Sequence, residues 1–315
     1  MSESISAVIC TLNEEANIGP CLAALAGVDE NVVADDGSTD RTCEIAAEMG
    51  ARVFRRADWS VRATAEDVAT FRGRFGWEPT FSAGDRIRKG HLESTEAIGA
   101  ATHDWVVVPD ADERVSWDLP AIRELLPTAD QITCEFVHAH NPDGSPERVS
   151  TITKLFRRSV TRVEGRTHGA LLPAGRIVTT DRMRIDHWQA PGHSQGYVLP
   201  ILEYSAAVDD DSRTRFYLAR EYLYRAEWDR ALTLLRRYLA DARWLPEIQK
   251  ARVYEARALW HVQRGDEARE AAMQAVLLNP DDREALSLMA EVYFEPWRSK
   301  WAAMAARATN ADVLF

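Results

Sequence analysis

Two carboxylate clusters in the first half of the chain have the spacing to handle charge. Asp110-Ala111-Asp112 leaves the apolar run 106–108 after a single proline, so two carboxylates two positions apart stand at the exit of a buried strand. Oxygen donors so placed can direct one or both groups at a hard cation, and Mg²⁺ or Mn²⁺ held there would bridge to the oxygens of a diphosphate. An Asp-x-Asp triplet alone is a common surface feature; the buried strand before it gives this one its meaning. The second cluster, Asp35-Asp36-Gly37-Ser38-Thr39-Asp40, follows the apolar run 31–34 and precedes a helical pattern. Carboxylates in such a turn can accept hydrogen bonds from base N–H groups and ribose hydroxyls, while the helix N-terminus favours a nearby phosphate. Asp40 is equally suited to cap that helix. Glu113 and Arg114 suit an ion pair that braces the loop.

The elements that must position these groups are legible in the hydrophobic periodicity. Residues 5–11 form a short β-branched run, and Ile18, Leu22 and Leu25 follow at helical spacing. After the strand 31–34, Cys43, Ile45, Ala46 and Met49 make a helix face that Gly50 stops, and 51–54 completes a third strand. This alternation predicts a mostly parallel sheet with ligand loops at the strands' carboxyl ends. Residues 57–90 have weak periodicity, several aromatics and many basic residues; a partly helical excursion folding over the ligand is expected, its Arg and Lys either solvated or facing an anion. A helical pattern over 91–101 leads into the strand before Asp110. Two more strands are expected at 132–137 and 150–156, with Asn141-Pro142-Asp143-Gly144 as the turn between them.

Past residue 205 the composition shifts to Ala, Arg, Leu, Glu and aromatics at helical spacing, with internal similarity. Ala219, Ala256 and Ala290 recur after 37 and 34 residues, Tyr222, Leu259 and Tyr293 follow each by three, and Ala231 and Ala268 are again 37 apart. Small residues at fixed positions let paired helices approach closely. The pattern resembles tetratricopeptide repeats, and the domain boundary is expected between 1–205 and 206–315.

Three segments in order, Cys10-Thr11-Leu12-Asn13-Glu14-Glu15, the Asp35–Asp40 turn with Ala34 before it, and Asp104-Trp105 through Asp110-Ala111-Asp112-Glu113, resemble the landmarks of family 2 glycosyltransferases with the GT-A fold. The resemblance spans about residues 5 to 190. It implies an α/β fold, a Rossmann-like mixed sheet flanked by helices, and metal-dependent, inverting transfer from a nucleotide-diphospho-sugar, with a UDP-sugar expected, to a protein, glycan or small-molecule acceptor. It places Thr11, Asn13, Glu14, Asp35, Asp36 and Asp110 on the donor nucleotide, and Asp110 and Asp112 on Mg²⁺ or Mn²⁺. The closer resemblance is to a bacterial branch that includes lipopolysaccharide core sugar transferases and peptide glycosyltransferases with tetratricopeptide-like C-terminal helices. Leu155-Phe156-Arg157-Arg158 and Gly165-Arg166-Thr167-His168-Gly169 match its later pattern, except that the acidic residue after the histidine is Gly169, and Ser94-Thr95 stands where the branch tends to carry Arg-Asn. His187 fits a further family histidine loosely. For the group that takes the acceptor's proton, Glu164, His168 and Asp186 are the candidates, and His168 also suits the diphosphate.

A formal charge of −11 argues against a protein that coats nucleic acid or an anionic membrane. The sequence has no apolar run of membrane-spanning length, and its first residues carry no basic flank or signal-like segment, which makes the cytoplasm the expected compartment. Cys10, Cys21, Cys43 and Cys134 lack a pair at two-residue spacing and read as reduced, buried small residues. Two other functions fit the same residues less well. A nucleotide-sugar-binding scaffold with lost turnover would use the repeats to hold a partner, and Gly169 favours it; a nucleotidyltransferase would share sheet and metal but lacks an early glycine-rich basic loop. The helical tail suits a peptide acceptor, a protein partner or self-association.

Overall fold

A computed structural model describes residues 3–55, 60–88, 92–161, 163–164, 170–171, 175–188, 198–209 and 211–308, with backbone alone for 88, 92–95, 148, 163–164 and 170–171. Contacts divide the chain into two compact units, Met1–Arg62 with Arg86–Gln195, and Ala63–Asp85 with Gly196–Phe315.

The first unit runs β1 (Ile5–Thr11), α1 (Ile18–Ala24), β2 (Glu30–Asp35), α2 (Thr42–Glu48), β3 (Arg52–Arg55) and β4 (Ser60–Arg62). After α3 (Ala65–Phe75), which belongs to the other unit, come β5 (Arg86–Arg88), α4 (Leu92–Ala100), β6 (Trp105–Val107), β7 (Glu113–Trp117), α5 (Leu119–Leu125), β8 (Gln131–His140), β9 (Pro146–Arg157), β10 (Val163–Glu164), β11 (Ala170–Leu171) and β12 (Ile177–His187). Among the described residues the main sheet has eight strands in the order β3-β2-β1-β6-β9-β8-β12-β7. The strands β3, β2, β1 and β6 are parallel, β9 is antiparallel to both its neighbours, and β7 is antiparallel to β12. This is the mixed sheet flanked by helices that the sequence led us to expect.

Alternation along the central strands explains the two layers of core. Ile5, Ala7, Ile9, Val33 and Val107 face one side with Ile18, Leu22 and Leu25 of α1, Ala46 of α2 and Ile122 of α5. Val8, Val32, Ala34 and Val106 face the other with Ala97, Ile98 and Ala101 from α4 and the residue after it. Strands buried on both faces read as continuous apolar runs, which is why β1 and β2 were visible in the sequence. Because β2 lies on one side of β1 and β6 on the other, strand order reverses at β1, the place where open α/β sheets form a crevice outside the strands' carboxyl ends.

The second unit is all α: α3, α6 (Val198–Val208), α7 (Ser212–Tyr224), α8 (Trp228–Asp241), α9 (Leu245–His261), α10 (Gly265–Leu278), α11 (Arg283–Val292) and α12 (Trp297–Ala305). Helices pair as α7/α8, α9/α10 and α11/α12, and the pairs stack through α8 on α9 and α10 on α11. Ala219, Ala231, Ala256 and Ala268 are fully buried where the helices meet. The turns repeat as well: Ala226 and Gln263, 37 residues apart, both take positive φ, at 59° and 62°.

The partly helical excursion expected at 57–90 contains α3 and buries three of its aromatics within the helical unit. Thr64 and Asp67 form a capping box that starts α3, Gly76 ends it with φ 86°, and Phe71, Phe75 and Phe81 are buried. Trp77 Nε1 donates to the Tyr222 hydroxyl at 2.9 Å, and the Thr80 amide donates to Glu203 at 2.6 Å. The boundary expected at 205/206 is replaced by one that gives α3 and the whole of α6 to the helices, because these elements bury their apolar side chains there. Among the described residues, no helix is long and apolar enough to cross a membrane.

Candidate active site

Two loops leave the crevice side by side because β1 and β2 pair in parallel with Thr11 opposite Asp35. They are latched to each other. The Asn13 amide donates to Ser38 Oγ at 2.9 Å, the Thr39 amide returns to Asn13 Oδ1 at 2.9 Å, and the Glu14 amide donates to Thr42 Oγ1 at 2.8 Å. Asn13 at φ 55° and Gly37 at φ 88° supply the left-handed conformations that these turns need. Asp35 is fully buried, and its Oδ2 accepts the Gly37 and Ser38 amides at 3.0 Å each while Arg55 Nε stands 3.4 Å away. Its carboxylate therefore organises its own turn, with Thr11 Oγ1 3.5 Å from its other oxygen. Asp36 beside it is only half-buried. The Glu14 carboxylate accepts from Asn17 at 2.9 Å. Asp40 stands one residue before the N-cap position of α2, which Arg41 occupies without a side-chain cap bond; its carboxylate accepts the Thr42 amide at 3.0 Å and the Glu15 amide at 3.1 Å.

The acidic run after β6 is divided into two pairs by its cationic neighbours. Antiparallel pairing sets Leu155 opposite Val107, and the Val108 amide donates to the Lys154 carbonyl at 2.9 Å, so Lys154 lies across from the Asp110 turn. Its Nζ meets Asp110 Oδ2 at 2.9 Å and both oxygens of Glu113 at 2.8 Å. Burial works against the ammonium charge, but the carboxylates of Asp110 and Glu113 prevail and hold the Lys154 pKa above its ordinary value. The turn is closed from both ends, as the Glu113 amide donates to the Asp110 carbonyl at 3.0 Å and the Asp110 amide donates to Glu113 Oε2 at 2.9 Å.

Asp112 belongs to the other pair. The β7/β12 ladder sets Glu113 opposite His187, and the Trp188 amide donates to the Asp112 carbonyl at 2.8 Å, which brings Asp112 Oδ2 to 3.0 Å from His187 Nε2. The imidazole also bonds the His138 backbone and stacks on Phe136 at 6.3 Å and 23°, so the ring's orientation is fixed. The Asp112 hydrogen bond is the largest influence on His187 and raises its pKa above the usual histidine value. Both side chains reach solvent, 21% and 27% exposed. Their separation matches that of neighbouring ligands on an octahedral ion, about 3 Å for bonds of about 2.1 Å. Among the described residues no three His, Cys, Asp or Glu gather around one point that could hold a metal ion. Among the described residues the pair brings together one carboxylate and one imidazole, donor types that a divalent cation can take.

The candidates for proton removal lie apart from this pair or outside what is described. Asp186 neighbours His187 on β12, but successive strand residues point to opposite faces. Its carboxylate is taken by Arg184 Nε at 3.0 Å and by His140 Nε2 at 2.9 Å, and the His140 ring stacks on Trp188 at 4.1 Å and 10°. Glu164 has its backbone in β10, paired with β11; its side chain, and the whole of His168, lie outside the described residues. Sequence reasoning missed Lys154 and His140. Lys154 had a signal, a lone cation in the strand run between Ile152 and Leu155; His140 had none, because its partner is 46 residues away.

Residues 6–62 match the family described as glycosyl transferase family 2. The chain is 26% identical over 233 residues to a lipopolysaccharide core biosynthesis glycosyltransferase of Rhizobium meliloti, covering 68% of this chain and 75% of that one. It is also 36% identical over 122 residues to a TPR repeat-containing protein of Synechococcus elongatus, spanning 38% of this chain and 23% of that protein. Among solved structures, glucosyl-3-phosphoglycerate synthase from Mycobacterium tuberculosis with Mn²⁺, UDP and glucosyl-3-phosphoglycerate aligns at 18% identity and TM-score 0.37, over 65% of this chain and 80% of that one. The molecule is a glycosyltransferase-like fold of the GT-A type followed by TPR-like helices. The similarity holds at the level of the superfamily.

Proposed function

We propose that the chain is a metal-dependent, inverting glycosyltransferase that uses a nucleotide-diphospho-sugar. The observation that carries the reading is the Asp112–His187 pair, 3.0 Å apart, with Asp112 in the loop after β6 and His187 at the end of β12, at the same edge of the sheet as the latched loops after β1 and β2. Asp112 and His187 would hold the ion, and Mg²⁺ or Mn²⁺ there would supply positive charge to the leaving nucleoside diphosphate. The Thr11–Asn13–Glu14 loop and Asp36 receive the nucleoside, and buried Asp35 keeps their turn in shape. The acceptor's proton passes to Glu164, His168 or Asp186, of which Asp186 would first have to yield its bonds to Arg184 and His140. A UDP-sugar is the donor we favour. The relative named for lipopolysaccharide core biosynthesis supports a glycan acceptor, and the helical repeats offer a surface for a protein partner or a second copy.

The test is to incubate the full chain with a panel of nucleotide sugars, with and without Mn²⁺, and to follow nucleoside diphosphate release by mass spectrometry. Release is expected with one donor in Mn²⁺ and not in excess chelator. Asp112→Asn should lower it at least about 100-fold, the upper end of what disturbing a metal ligand's outer partner costs. Full activity in chelator, or in Asp112→Asn, rejects the metal assignment.

A further inference from the structure

We propose that Lys154 is a positioning residue of the donor site: by binding Asp110 and Glu113 it withdraws Asp110 from the metal and aims Asp112 at His187. The proposal rests on the metal-dependent reading above. An ammonium has three N–H donors, and the three contacts at 2.9, 2.8 and 2.8 Å account for all of them. Lys154 is set in place by the sheet, since its backbone is bonded to Val108 at the mouth of the metal loop. Its side chain is 14% exposed and that of Glu113 only 2%, so this is a buried pair whose partners are costly to separate. The Asp110 side chain, at 70% exposed, is the outer member of the group.

Three carboxylates, Asp110, Asp112 and Glu113, crowd this turn and would repel one another without a cation, while Arg114 donates to the carbonyls of Ala111 and Glu113 rather than to a carboxylate of the turn. Lys154 offsets two of them, and His187 receives the third. With Glu113 fixed by Lys154 and bonded back to the Asp110 amide, the turn between residues 110 and 113 has one shape. Asp112, which lies inside that turn, then has one direction to point. The first carboxylate of the Asp-x-Asp triplet is in this account a clasp for Lys154, and only the second is a ligand.

The full-length protein is titrated with Mn²⁺ in the presence of UDP and, separately, GDP, and free Mn²⁺ is read by electron paramagnetic resonance. One Mn²⁺ per chain is expected. Asp112→Asn and His187→Ala should weaken uptake more than 10-fold, whereas Asp110→Asn should change it less than 3-fold. Lys154→Met should weaken uptake about 10-fold although no ligand is touched, and Lys154→Arg, which keeps a cation, should recover part of the loss. Equal loss in Asp110→Asn and Asp112→Asn overturns the proposal by showing that both carboxylates bind metal. Normal uptake in Lys154→Met overturns it too. Should Lys154→Met fail to fold by circular dichroism, the contrast between Asp110→Asn and Asp112→Asn still decides, because Asp110 is exposed. Absence of Mn²⁺ uptake by the unaltered protein with either nucleotide overturns the metal reading itself, and this proposal with it.

Discussion

Glu113 in the α/β unit and Glu203 in the helical unit are both withdrawn from water, at 2% and 0% exposed, yet they are accommodated in opposite ways. Glu113 faces a buried ammonium. Glu203 faces neutral donors: the amide and hydroxyl of Thr80, and the Tyr222 hydroxyl at 2.7 Å, which in turn accepts from Trp77. Burial, the largest influence, raises the Glu113 pKa despite the pull of Lys154, and the pair fixes the turn between residues 110 and 113. Glu203 is bonded by neutral donors with Arg230 a lesser electrostatic influence, and it ties the segment after α3 to α6 and α7. Where a buried carboxylate finds a cation, the surroundings are arranged for electrostatics; where it finds hydroxyls and amides, they are arranged for cohesion.

The comparison breaks first at Glu113. Glu113→Gln keeps shape and volume but leaves Lys154 with only the exposed Asp110, so urea unfolding should show a loss of about 3–5 kcal/mol, as for a buried pair deprived of one partner. A loss below about 1 kcal/mol would mean that the ammonium is solvated and that the two glutamates differ less than their contacts suggest. Next in size is Glu203→Ala, which strands the Thr80 amide and the Tyr222 hydroxyl and should cost about 1–3 kcal/mol, while Mn²⁺ uptake stays that of the unaltered protein. Weakened uptake would show that cohesion of the helices and geometry of the metal loop are not separable.

The smallest effect is one of pH. Burial, the largest influence, raises the pKa of Glu203 above the ordinary 4.5, against the pull of Thr80, Tyr222 and Arg230. The folded state therefore holds this proton more tightly than the unfolded chain does, so the stability it contributes is fully present below 4.5 and is lost as pH rises through the folded value. Calorimetric melts of the unaltered protein and of Glu203→Gln should converge at low pH and separate above it, with the amide variant lacking this component of the decline. Parallel profiles would show that Glu203 does not titrate differently in the two states.

Much of the α/β unit was legible because its signals are local. Strands β1 and β2 are continuous apolar runs, Asp110 and Asp112 follow a buried strand, and the alanines of the repeats recur at a fixed period. The buried helix-helix positions of Ala219, Ala231, Ala256 and Ala268 follow from that period alone. In residues 57–90 the partly helical character was legible and α3 bears it out, but aromatics in a weakly periodic segment do not say what they pack against. Their partners, Tyr222 and Glu203, lie more than 120 residues away.

By itself the sequence determined the alternation from β1 to β3, the helix and strand before Asp110, the strands β8 and β9, the two carboxylate clusters and the helical repeat, since these depend on period, turn chemistry and spacing between near neighbours; β7 and β12 were not read from it. Tertiary structure decided how the charges are shared. The antiparallel ladders that set Lys154 beside Glu113 and His187 beside Asp112 join residues 41 and 75 positions apart. Only those ladders give the two aspartates of the triplet different partners, Lys154 for Asp110 and His187 for Asp112, because the fold alone chooses which charged neighbour each one meets.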